Sequence, residues 1–243
     1  MRTRYIAVTS SILLMAAFLN AQPPGKKPVT TRPATTTAPA NQAVADFEFE
    51  VTITPLGLAG IIVRRKSGLG LFTPAMLSSF ANQSAKNSLN PAFVIRPDKG
   101  AKMADILAVI NAIRLSPKTD IKMEVDADLS VFIPKKPDPN AFPRPDPLFL
   151  LVSIDEKSNI SLNGEKEGMF PDTSKVEQHL KQIFQDREKN GLAETAVVIS
   201  LAKNMTFANL VELARAVKRG GSRVIGLQVD EINKMVEVDI RNP

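Results

Sequence analysis

The chain has 243 residues, 44% hydrophobic and 23% charged, the balance of an ordinary soluble globular protein rather than a disordered or multi-spanning one. It has no cysteine, which excludes disulfides, thiolate metal sites and cysteine nucleophiles, and its single histidine, His179, excludes a site built on two imidazoles. Arg2, Arg4, Lys26, Lys27 and Arg32 all precede the first acid, Asp46, so five of the net charge of +6 belong to the N-terminal stretch and nucleic acid is not expected as a partner.

Residues 1–21 read as an export signal. Arg2 and Arg4 form the basic start, Tyr5 to Leu19 the apolar body, and Leu19-Asn20-Ala21 a small-residue cleavage site. As a helix, the apolar body rises roughly 22 Å, short of a hydrocarbon core about 30 Å thick. The expected location is therefore the periplasm or the exterior, the alternative being an inner-membrane protein that keeps this segment as an anchor. Residues 22–45 carry Pro23, Pro24, Pro28, Pro33 and Pro39 among Thr and Ala, a composition that neither packs nor ladders and serves as a tether. A second proline-rich run, 134–147, links two units at 46–133 and 148–243.

The two units repeat one another. At an offset of 104, Ala92 to Asp126 overlies Ala196 to Asp230 without a gap, with identities that include Val94 and Val198, Ile95 and Ile199, Lys99 and Lys203, and Asp126 and Asp230. Met103, Ile106, Leu107, Ile110 and Ile113 fall on Phe207, Leu210, Val211, Ala214 and Val217. Both sets step by three and four and make one apolar helix face. Short β-branched runs flank each helix, predicting strand–helix–strand with parallel strands. Upstream, Leu148 to Ile154 and Asn159 to Leu162 form a hairpin about Asp155 to Ser158, with Phe47 to Ile53 and Gly60 to Val63 as its counterpart. A helix follows each hairpin, through Met76, Leu77 and Phe80 in one unit and Val176, Leu180, Ile183 and Phe184 in the other. Each unit is thus expected as β-β-α-β-α-β, a two-layer α/β sandwich with helices on one face of a small mixed sheet. Val236, Val238 and Ile240 alternate on one face near the C-terminus and are expected to add an edge strand, as are Leu129 to Ile133 in the first unit.

Val152-Ser153-Ile154-Asp155, Asn159 to Glu165, Ala196 to Ile199, Lys203 and the helix start at Thr206-Phe207 together resemble the periplasmic domain of the ExbD/TolR biopolymer-transport family. Phe93 to Lys99 gives the same likeness in the first unit, with an Asp98-Lys99 turn where the second has Ala202-Lys203. The resemblance implies an envelope protein that works beside a proton channel. Its periplasmic domain would dimerise and engage an energy-transducing protein or peptidoglycan. It also implies a membrane aspartate that takes up protons, and there this sequence departs, since no Asp or Glu precedes Asp46. The expectation is a non-enzymatic, protein-binding scaffold related to biopolymer transport. Its partner is an envelope protein or peptidoglycan, and its two units pair within the chain or between chains. The alternative is a membrane-anchored accessory subunit of a proton-driven transport complex.

No residue set defends a catalytic, cofactor or metal site. His179 lies at the margin of an apolar helix stripe, and no serine stands in a Gly-x-Ser-x-Gly elbow. Gly68-Leu69-Gly70 is expected as a turn. Lys99 and Lys203 recur at the strand-to-helix turns, either as solvated lysines or as contacts for an anion at a helix start. Asp126 and Asp230 recur where an Asp closes a turn. Tryptophan is absent and the one tyrosine, Tyr5, is in the leader, which argues against a stacking platform for sugars.

Overall fold

The computed structural model describes residues 48–65, 68–86, 92–114, 119–135 and 148–229. The first half runs β1 (Glu48–Ile53), β2 (Ile61–Arg65), β3 (Gly68–Phe72), α1 (Pro74–Lys86), β4 (Ala92–Pro97), α2 (Met103–Ile113), β5 (Asp120–Asp126) and β6 (Leu129–Phe132). The second runs β7 (Leu151–Ile154), β8 (Asn159–Leu162), β9 (Glu165–Met169), α3 (Ser174–Lys189), β10 (Ala196–Leu201), α4 (Phe207–Arg219) and β11 (Val224–Leu227). The starts of β4, α2 and β5 recur 104 residues on at β10, α4 and β11, the offset of the sequence repeat.

The fold is mixed α/β, with four helices on one sheet of 11 strands in the order β3-β2-β1-β4-β5-β6-β11-β10-β7-β8-β9. In each half the two crossover helices return the chain to a parallel neighbour (β1 with β4 and β4 with β5, then β7 with β10 and β10 with β11). The outer strands are antiparallel hairpins. Register carries Phe49, Phe93 and Ile121, and likewise Val152, Ile199 and Leu227, onto a single face. There they meet Leu77 of α1, Met103, Ile106 and Ile110 of α2, Leu180 of α3 and Leu210 and Val217 of α4 in one continuous core.

Three expectations change. Each half carries a third strand, so Gly68-Leu69-Gly70 is not a turn but the body of β3, paired residue for residue with β2 from Ile61 and Phe72 to Arg65 and Gly68. β6 is not an edge strand, since it lies between β5 and β11 in the middle of the sheet. And the two small sheets are one: β6 pairs antiparallel with β5 and meets β11 in parallel at Phe132 and Gly226.

The helix ends are set by local chemistry. Thr206 opens α4, its backbone N–H donating to Asn209 Oδ1 at 2.9 Å. Gly220 closes it where a Cβ would lie 2.9 Å from Leu180, so α3 packs against a glycine, and Gly221 turns the chain at φ +105°. Two buried arginines hold the chain on either side of residues 136–147. Arg114 donates to the Pro134 carbonyl at 3.0 Å, and Arg187 to the carbonyls of Leu148 (2.6 Å) and Glu194 (3.1 Å). A charged donor on a buried carbonyl contributes about 1.5–3 kcal/mol.

Candidate functional site

The loops that lead into α2 and α4 meet, and they meet symmetrically. The Met103 N–H donates to the Met205 carbonyl and the Phe207 N–H to the Ala101 carbonyl, both at 2.8 Å. The Ala104 N–H donates to the Lys203 carbonyl at 3.1 Å and the Ala208 N–H to the Lys99 carbonyl at 3.0 Å. Each bond is the image of its partner under the 104-residue offset, and Lys102 bridges Thr206, the residue 104 positions on. The first four N–H groups of a helix have no partner within it, and here each half supplies carbonyls to the other. The remaining donors of each first turn are bonded too: Asp105 and Ile106 to the Lys102 carbonyl, Asn209 and Leu210 to the Thr206 carbonyl.

Lys99 and Lys203 therefore sit at this junction with exposed side chains, and what each gives to it is its backbone carbonyl. The first-turn amides that would hold an anion are already engaged, and Asp105 places a carboxylate in the first turn of α2. Asp126 does close a turn, accepting from the Ala127 N–H at 2.9 Å, and it also takes Arg215 of α4. Lys218 of the same helix donates to Asp128 Oδ2 and, at 3.0 Å, to the Asp128 carbonyl. So α4 of the second half is tied by two cations to the β5–β6 turn of the first. Hydrogen bonding from Arg215 and from Lys218 holds the Asp126 and Asp128 carboxyls below the usual carboxylate range. Asp230, Val236, Val238 and Ile240 lie outside the described residues.

Among the described residues the sheet has two edges, and they differ in chemistry. β3 reads Gly-Leu-Gly-Leu-Phe, regular in register and without a charge. Leu69 and Leu71 stand 67% and 71% exposed on the face away from the helices, while Phe72 turns inward and packs edge-on to Phe80. β9 reads Glu-Lys-Glu-Gly-Met and is bulged against β8: Ser161 faces Lys166 and Ile160 faces Gly168, leaving Glu167 as the extra residue. Glu167 is buried under α3, where its Oε1 lies 2.8 Å from His179 Nδ1 and its Oε2 3.6 Å from Lys175 Nζ. His179 thus serves as partner to a buried edge-strand carboxylate. Neither Glu167 nor Leu69 and Leu71 stood out in the sequence. A period-two leucine pattern in 68–72 was the available signal, masked by its glycines.

Among the described residues no cluster of three or more His, Asp or Glu could hold a metal ion, and no helix is long and apolar enough to cross a membrane. No protein-family model, curated protein or solved structure matches the chain.

Proposed function

We propose that this chain is a non-enzymatic protein-binding scaffold of the bacterial envelope, built from two ExbD/TolR-like modules in tandem and related to biopolymer transport. The observation that carries the reading is the unequal treatment of the two sheet edges. A free edge presents unpaired N–H and C=O groups, and proteins that must avoid strand pairing blunt it with charge, bulges and inward-pointing ionic residues. β9 has all three, whereas β3 has none and exposes two leucines. An uncharged strand with no second neighbour among the described residues is suited to strand addition by another polypeptide. The reciprocal hydrogen bonds between the α2 and α4 loops support the tandem part of the reading, because they make the paired modules a fixed platform behind that edge.

A photo-crosslinking residue at Leu71, compared with one at Met169 beside the blocked edge, tests this in cells that export the protein. Capture of an envelope polypeptide from position 71, lost when Leu69→Lys is added and absent from position 169, is the expected result. Equal capture from both positions, or none from either, overturns it. Co-sedimentation with purified peptidoglycan distinguishes a wall partner from a protein one. The intact mass of the exported chain separates the free scaffold, which begins at Gln22, from a membrane-anchored accessory subunit, which begins at Met1.

A further inference from the structure

We infer that the β3 edge is a self-pairing surface, and that two copies of this chain join through it about a two-fold axis at Gly70 into one continuous sheet. The inference rests on the binding-edge reading above and names the occupant of that edge. Antiparallel pairing centred on Gly70 sets Leu69 against Leu71 of the second copy, and Leu71 against Leu69. On the other face it sets Phe72 against Gly68. Leucine thus meets leucine and the one large inward ring meets a residue without a side chain, so the strand is complementary to itself in size. Ile62, partly exposed and paired beside Leu71 in β2, extends the apolar strip on the leucine face.

Charge selects the same occupant. β3 has no ionisable residue from Gly68 to Phe72, so two copies meet with no like charges opposed. The same operation on β9 would bring Glu167 against Glu167, and pairing β3 with β9 centre to centre would press Lys166 against Leu71 and Glu165 against Phe72. Pairing of β9 with itself and of β3 with β9 is therefore disfavoured, and the assembly closes at two copies rather than growing into a filament. A one-residue slip in either direction would bring Leu71 opposite a glycine and turn the helices of the two copies to opposite faces, so the side-chain pattern fixes the register as well.

The natural absence of cysteine makes the test direct. Opposed residues of an antiparallel pair have Cα atoms about 4.5–5.5 Å apart, within disulfide reach, whereas residues two positions off register are too distant. Full-length Leu69→Cys and Leu71→Cys chains, mixed under mild oxidation, are expected to give a cross-linked dimer holding one of each, and several-fold less from either chain alone. Light scattering is expected to give the unmodified chain twice its 26.4 kDa mass, with Leu71→Lys at the single mass and Met169→Lys still at the double mass. Leu71→Lys is placed at an exposed position, and a circular dichroism spectrum equal to the parent's checks that it folds. An unmodified chain of single mass, or cross-linking that is as strong within each cysteine variant as between them, overturns the inference. If the chain is single in mass yet a crosslinker at Leu71 captures an envelope protein, self-pairing fails and the scaffold reading stands. If position 71 captures nothing at all, both fail.

Discussion

The first half of the sheet ends in β3 and the second in β9. Both are the third strand of equivalent hairpins, yet one is a bare apolar ribbon and the other a bulged strand with a carboxylate buried beneath it. Toward the middle of the molecule the halves agree bond for bond, with the same four amides and the same four carbonyls exchanged at positions 104 residues apart. Between these limits they diverge by degrees. Arg96 of β4 bridges Glu50 and Glu124 on the face away from the helices, whereas its counterpart in β10 is Ser200, and Leu151, paired with Val198, stands where Glu50 is paired with Val94. A repeated fold is thus held constant where its copies touch and is free to vary where they face outward. The outer strands are where binding behaviour has room to differ.

The packing of the two halves provides the largest test of this picture. Phe93 in β4 and Val197 in β10 are equivalent and fully buried, but Phe93 sits in an aromatic cluster, 5.3 Å from Phe49 and 6.4 Å from Phe80 between ring centres. Phe93→Ala is expected to cost about 3–5 kcal/mol, and Val197→Ala about 1.5–3 kcal/mol, measured by urea unfolding. Because one core runs through both halves, each variant should unfold in a single transition. Two separated transitions would divide the halves into independent units.

The junction comes next in size. Ala104→Pro and Ala208→Pro each delete one inter-half donor in a helical first turn, where proline removes no intrahelical bond. Each leaves a carbonyl of the opposite loop unpaired and strains the residue before it, and each is expected to cost about 1–3 kcal/mol. Equal losses are what the shared geometry requires. A loss confined to one variant would break the equivalence of the loops.

How far these features were legible in the sequence follows from which of them use side chains. Strands β4 and β10, and helices α2 and α4, were readable because Val94, Ile95 and their counterparts are β-branched and because Ile106, Ile110 and Leu210, Val217 keep helical spacing. β3 was hidden by Gly68 and Gly70, which in isolation mark a turn as readily as a strand. β9 was hidden for the opposite reason: its inward position is filled by Glu167, so no apolar alternation exists to be seen. The repeat of Lys99 and Lys203 marked the correct loops, but those loops act through carbonyls, which carry no residue signature. Continuity of the sheet was likewise beyond reach, because β6 joins β11 at a single register position, Phe132 with Gly226.

The smallest effect expected is on the acid side of the stability profile, and it sharpens the difference between junction and edge. Asp126 and Asp128 have their carboxyls lowered by hydrogen bonds from Arg215 and Lys218, and Glu124 is lowered by Arg96. A carboxylate with a folded value below its unfolded one takes up a proton more readily after unfolding. Its contribution is therefore full above the unfolded value, about 4, and is lost as pH falls through the folded one. Urea midpoints should accordingly drop as the solution is acidified from about pH 5 to pH 2. The Arg215→Ala, Lys218→Ala double variant should start lower at pH 6 and lose less on acidification, converging on the parent at the acid end. Asp126, Asp128, Arg215 and Lys218 are all exposed, so added salt should shrink the difference. If the double variant instead loses as much as the parent across that range, these cations do not hold α4 to the β5–β6 turn, and the backbone exchange at Lys102 and Thr206 is the tie that joins the halves there.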